Sequence, residues 1–182
     1  MKRKIIVISF LAAVMLAGCS GESSTTKEVT PKKSETQNIK ELVQDYSTGK
    51  IKDESASITS QKLIVTKNDD SKLTYDLPED EFFVSIAPYI KKTHPCSDHS
   101  LTGCQGELVD EEFDVYIEDT ESNVIMDKKV TTQSNGFIDL WLPRDKKYHI
   151  TIAQDGKKAE SEFSTFESDG TCITTIQLKE NI

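Results

Sequence analysis

The sequence predicts an α+β protein that is mainly β: a small N-terminal unit of one helix and a few strands, followed by a β-sandwich. Three observations carry this. Ile39, Leu42, Val43 and Tyr46 recur at helical spacing, with Gly49 placed where a helix C-terminal glycine belongs. Phe113, Val115 and Ile117 alternate with Asp114, Tyr116 and Glu118, the period of a strand with one buried and one wet face. From there to the C-terminus, short β-prone runs recur at roughly 8–12-residue spacing with turn chemistry between them, which indicates two packed sheets.

The elements follow in order. The helical pattern starts at Asn38 and supports about three turns. Ser57 to Lys67 and Leu73 to Leu77 are β-prone runs separated by Asn68-Asp69-Asp70-Ser71, a hairpin signal. Glu81 to Ala87 reads as a third strand of the same unit, stopped by Pro88. After a loop rich in cysteine and histidine comes the strand at Phe113, and Val124 to Thr132 returns against it across Asp119 to Asn123. Asn135-Gly136 precedes Phe137 to Leu142, and Pro143 to Lys147 forms a loop. Tyr148, Ile150 and Ile152 alternate, Asp155-Gly156 marks a tight hairpin, Ala159 to Phe166 returns, and Cys172 to Leu178 closes the chain. The organisation expected is therefore a unit at 38–92, a cysteine/histidine loop at 93–106 and a sandwich at 107–182.

The N-terminus decides the compartment. Lys2, Arg3 and Lys4 precede thirteen mostly apolar residues, Ile5 to Ala17, a length that suits an export signal and is short for a membrane span. Its end, Leu16-Ala17-Gly18-Cys19, resembles the bacterial lipobox. That likeness implies cleavage after residue 18, a lipid on Cys19, and a mature protein anchored to the outer face of the cytoplasmic membrane. Residues 19–37 are polar, with one valine and no aromatic, and read as a tether that cannot bury a core.

Composition excludes several functions. The full chain carries a net charge of −9, and removal of the three positive residues of the signal takes it to −12. Such a surface repels phosphate backbones and anionic lipid, so nucleic-acid binding and electrostatic membrane docking are disfavoured. There is no phosphate-cradling glycine loop and no G-x-S-x-G, and the carboxylates lie mostly on alternating wet faces, so the chain does not read as an enzyme.

The segment Thr93 to Glu107, THPCSDHSLTGCQGE, holds two of the four cysteines and two of the three histidines. With Cys19 set aside, Cys96, Cys104 and Cys172 remain, an odd number that no disulfide framework can use fully within one monomer. Cys96 and Cys104 match neither a zinc-ribbon pair nor a redox C-x-x-C. Two readings stand. In one, Cys96 and Cys104 form a disulfide that staples the loop, stabilising by about 2.6 kcal/mol on the chain-entropy model, while Cys172 is a small buried hydrophobe. In the other, Cys172 comes up against the loop to complete a three-thiolate site suited to Cu(I), a soft cation. His94 and His99 are either auxiliary ligands or proton acceptors on the one hand, or exposed loop residues on the other. His149, in an alternating strand, reads as structural.

Two resemblances add to this. The runs "NGF.DLWLP" and "KYHITIA.DGKKAE" are similar in architecture to transthyretin-like and collagen-adhesin B-type extracellular modules, which implies a transthyretin-like or immunoglobulin-like sandwich and nothing about activity. Ser85 to Leu108, SIAPYIKKTHPCSDHSLTGCQGEL, together with "NGF.DLWLPR" and the late "TCITTIQL", resembles the CueP family of exported bacterial copper-binding proteins. The resemblance implies copper bound by Cys96, Cys104 and Cys172, with reduction of Cu(II) to Cu(I) by the thiols as an accessory step. It also implies a role as a copper chaperone or buffer in copper tolerance. The expected partners are the copper ion, the membrane through the N-terminal lipid, a thiol reductant and a copper-accepting protein, with a homodimer left open. Two rival functions remain: a thiol–disulfide redox protein using Cys96 and Cys104, and a non-catalytic surface module with a structural disulfide.

Overall fold

A computed structural model of the chain describes residues 27–29 and 36–180. The stretch read as an export signal, Cys19 and most of the segment read as a tether lie outside the described residues. Within the segment read as tether, Lys27–Val29 forms strand β1, parallel to β4 (Lys72–Asp76).

Helix α1 spans Thr36–Ser47. Ile39, Val43 and Tyr46 are buried, and Leu42 packs beside them half-buried, as their spacing requires. Gly49 takes φ +70, the left-handed conformation that ends a helix without a Cβ penalty, and its N–H reaches the Tyr46 carbonyl.

The described strands form three sheets. The first runs β1-β4-β3-β2-β6, with β2 at Ser55–Ile58, β3 at Lys62–Thr66 and β6 at His99–Ser100. The second runs β13-β11-β10-β7-β8, from β7 at Glu112–Asp119, β8 at Val124–Thr131, β10 at Lys147–Gln154, β11 at Lys157–Ser164 and β13 at Lys179–Glu180. The third and smallest is β12-β5-β9, from β5 at Glu81–Ile86, β9 at Ile138–Pro143 and β12 at Cys172–Ile173.

The third sheet is the wall shared by two cores. Phe82, Val84, Ile86, Ile138, Leu140 and Leu142 face Phe113, Val115, Ile117, Ile150 and Ile152 of the second sheet. On its other side, Phe83 and Trp141 join the cluster of Ile39, Val43, Tyr46, Ile58, Leu63 and Val65 from the helix and first sheet. Phe82 and Phe83 are consecutive and both fully buried, because β5 has apolar layers on both faces. Each contributes about 2–3 kcal/mol of apolar burial.

Several elements depart from the sequence reading. β5 does not pair with the N-terminal strands that precede it; it runs antiparallel to β9 and parallel to β12. Alternation identifies a strand but not its partner, and a run apolar on both faces seeks the middle of the fold. The run Ser57 to Lys67 is two strands, folded back at Thr59. The Thr59 hydroxyl accepts the N–H groups of Gln61 and Lys62, a turn device with no glycine or proline to announce it. The closing run keeps strand geometry only at Cys172–Ile173 before crossing by a single bridge, Tyr89 to Gln177, to β13 on the second sheet.

The expected turns behave as their residues demand. Asp155 and Gly156 both take positive φ in the β10–β11 hairpin. At Asp119 to Asn123, the Asp119 carboxylate accepts the N–H groups of Glu121 and Asn123.

Candidate metal centre

The loop between β5 and β7 is pinned at both ends and in the middle. The Glu107 carboxylate accepts the backbone N–H groups of Ile90, Lys91 and Lys92, at 2.7, 2.8 and 3.2 Å. Partial desolvation opposes them, yet these bonds hold the Glu107 carboxyl below its ordinary range. The Thr93 hydroxyl donates to the Thr174 carbonyl at 2.6 Å. In the middle, β6 pairs with β2, so His99 lies opposite Ile58 at the open edge of the first sheet.

Cys104 follows one turn later, its N–H on the Ser100 carbonyl at 3.0 Å. Glycine is required just beyond it. A Cβ on Gly106 would lie 2.4 Å from the Gly136 carbonyl oxygen, so this loop and the Asn135–Phe137 turn approach backbone to backbone. The same approach sets Phe137 beneath the loop, 4.5 Å from the His99 ring.

Cys172 arrives from the far end of the chain. It pairs with Ser85 in the third sheet, and its N–H donates to the Ser97 carbonyl at 2.9 Å. Its neighbour Thr171 is fully buried. The Thr171 hydroxyl accepts the His99 N–H at 2.9 Å and donates to the Ile58 carbonyl at 2.6 Å, tying loop, first sheet and last strand together.

Cys96 and Cys172 are joined in a disulfide with Cα atoms 5.7 Å apart, and among the described residues Cys104 is the free thiol. A Cys96–Cys104 staple is thus not the pairing found: the bridge runs from the loop to the last strand, 76 positions on. On the chain-entropy model, closing so long a segment stabilises by about 4.5 kcal/mol. Proximity in sequence suggests the smaller staple, but β12 beside β5 delivers Cys172 to the same place and takes the bond.

Four donors converge: Cys96, His99, Cys104 and Cys172 each offer a ligand atom, all within 4.8 Å of one another. Cys104 Sγ is 3.7 Å from Cys96 Sγ, and Cys172 Sγ is 3.5 Å from His99 Nδ1. His99 is fully buried, and its Nε2 has no hydrogen-bond partner among the described residues. Burial, and then the neighbouring His94, push its pKa down to about 4, so the ring is neutral at physiological pH and has a lone pair to give.

His94 does not enter the group. Its Nδ1 lies 3.3 Å from the Pro95 carbonyl oxygen, and its ring sits 6.4 Å from Phe137. His149 pairs across from Glu118 and Glu162 in the second sheet, apart from the cluster. Thr171, Ser97 and Phe137 position the centre; each lies within a segment the sequence singles out, TCITTIQL, the cysteine/histidine loop and NGF.DLWLPR, but nothing in the sequence marks any of the three as a positioning residue.

Across the third sheet from Cys172, Ser85 donates to Asp139 at 2.5 Å, and Ser47 and Gln133 bond the same carboxylate at 2.5 and 3.2 Å. Burial raises the Asp139 pKa despite these donors.

Comparison with known proteins fits this arrangement. A family model described as periplasmic copper-binding protein CueP matches residues 37–177. The crystal structure of S.CueP is similar at TM-score 0.73 and 35% sequence identity, covering 78% of this chain and 88% of that one. A search of curated proteins gives no match.

Proposed function

Because the chain belongs to the CueP family of periplasmic copper-binding proteins, we propose that it is an exported copper chaperone or buffer whose cargo is Cu(I). The observation that carries this reading is the convergence of three sulfurs and one imidazole nitrogen within 4.8 Å. Thiolates select soft cations, and Cu(I) is the soft oxidation state of copper.

Cys96, Cys104 and Cys172 would hold the ion, with His99 as the nitrogen donor at hand. His94 is then a neighbour rather than a ligand. The pairing of Cys96 with Cys172 is the oxidised form, and loading requires two electrons from a thiol reductant to free both sulfurs. The reverse reaction supplies the accessory chemistry. Two thiols joining in a disulfide release two electrons and two protons, enough to reduce two Cu(II) to two Cu(I).

The remaining assignments belong to the same proposal. Cleavage at the lipobox would leave a lipid on Cys19, with residues 20–37 as a tether and the membrane's outer face as the working location. A copper-accepting protein would unload the site. The second and third sheets, with the core between them, would serve as a transthyretin-like or immunoglobulin-like scaffold for units bounded at about 38–92, 93–106 and 107–182.

The test is an anaerobic Cu(I) titration of the reduced protein against a chromogenic chelator, with copper-edge absorption on the loaded form. About one Cu(I) per monomer in a sulfur-dominated shell is expected. A Cys172→Ser variant that keeps the parent affinity overturns the three-thiolate site.

A further inference from the structure

The three sulfurs differ in their surroundings, although they share one cluster. Cys172 is buried, 8% exposed, in the third sheet, whereas Cys96 and Cys104 are half-buried in the loop. The free thiol, Cys104, stands 3.7 Å from Cys96, the loop-side sulfur of the disulfide, and the far sulfur of that disulfide lies against His99 Nδ1. A thiolate attacks a disulfide at the sulfur it can reach and expels the other.

We infer that the oxidised protein is an internal thiol–disulfide exchanger, in which Cys104 attacks Cys96 and the disulfide migrates from Cys96–Cys172 to Cys96–Cys104. The bond formed is Cys104 Sγ–Cys96 Sγ, the bond broken is Cys96 Sγ–Cys172 Sγ, and the electron pair leaves on Cys172. One proton leaves Cys104 and one is taken up at Cys172. No oxidant or reductant is consumed.

Small movement suffices. The donor atoms of all three cysteines already lie within 4.8 Å, Cys96 belongs to both pairings, and Cys104 Sγ stands 3.7 Å from Cys96 Sγ on a turn whose Gly103 and Cys104 N–H groups share the Ser100 carbonyl. Cys172, by contrast, is fixed through its N–H to Ser97 and its place beside β5. Exchange therefore moves the loop sulfur while the strand sulfur stays. The outcome is two oxidised forms: one with its thiol in the loop, the other with its thiol in the interior beside His99, where one sulfur and one nitrogen donor remain together.

This inference does not rest on copper, and its test excludes the metal. The full chain with Cys19→Ser, so that only three sulfurs take part, is purified oxidised with a metal chelator and held at pH 8. Samples are stopped over time with acid and denaturant, alkylated with N-ethylmaleimide, and mapped by proteolysis and mass spectrometry. The label is expected to divide between Cys104 and Cys172, and the approach to a constant ratio to be slower in more acidic buffer, because exchange runs through a thiolate. Label confined to Cys104 after a day at pH 8 overturns the inference. So does label on Cys96, which would put the attack on the other sulfur. A Cys104→Ser companion, which has no attacking thiol, must keep the Cys96–Cys172 bridge and show no label on Cys172. Cys172 labelling there would mean that the bridge opens without Cys104 and would overturn the inference, and a migration rate in the parent that rises in proportion to protein concentration would assign it to exchange between molecules and overturn the internal route.

Discussion

Cys172 Sγ lies 3.5 Å from His99 Nδ1, although 73 positions separate the two residues in the chain. The contact exists because β6 and β12 attach to different sheets, β6 at the edge of the first and β12 beside β5 in the third, and Thr171 bonds across the gap. The centre is therefore built at a seam between layers, and it closes only when each part of that seam is in place.

Loading should be visible as stability. Under anaerobic, reducing conditions, Cu(I) at about 100 times its dissociation constant should stabilise the fold by about 2.7 kcal/mol, since the native cluster binds it and a scattered set of thiols binds it less well. Calorimetry of the reduced protein with and without Cu(I) measures this. A non-catalytic surface module would show no shift.

Thr171→Val removes a hydroxyl that is fully buried and bonded on both sides. It leaves the His99 N–H and the Ile58 carbonyl unpaired, at a cost of about 1–3 kcal/mol for each group left unsatisfied. The expected result is a lowered midpoint in urea with an unchanged slope, together with weaker Cu(I) retention by the reduced protein.

Gly106→Ala and Gly103→Ala should differ sharply. A Cβ at residue 106 meets the Gly136 backbone at 2.4 Å, which only a backbone shift can relieve, costing about 1–3 kcal/mol. At residue 103 the nearest atom is the Ser100 hydroxyl at 2.8 Å, the end of a side chain that can rotate away. Thermal melts of the two variants give the comparison, and Gly106→Ala should also displace Cys104 and slow its reaction with Cys96.

Acid should weaken the second sheet through Asp119. Its side chain is buried and held by Lys146 Nζ at 2.9 Å, by Asn123 Nδ2 at 3.0 Å and by two backbone N–H groups, which together keep its carboxyl well below the usual range. A carboxyl depressed in the folded state contributes stability that is complete above the unfolded value, near 3.9, and disappears as pH falls through the folded one. Urea midpoints should therefore fall below about pH 4 in the parent and show a flatter dependence in Asp119→Asn.

Local features are legible in the chain and remote ones are not. The helix can be read because Ile39, Leu42, Val43 and Tyr46 fix its buried face, and the Asp155-Gly156 hairpin because its backbone needs positive φ at both residues. The partner of β5 cannot, since pairing with β9 and β12 is decided by which layers cover its two faces. The cysteine count shows that one sulfur is left over. It does not say that Cys104 is the one, because that depends on where β12 docks. The sequence offers His94 and His99 alike as auxiliary ligands or exposed loop residues; the closure of Phe137 and Phe83 around the His99 ring makes His99 the interior base of the two.

The shared wall formed by β5, β9 and β12 has a genetic consequence. Its two faces serve different cores, and the sulfur on its outer strand completes a cluster begun in the loop before β7, so no single cut in the chain between residues 104 and 172 leaves either fragment with the full donor set. Recombination that exchanges halves of such a gene would return proteins without a centre. Loop and final strand must be inherited together, and the centre can be passed on only as a whole.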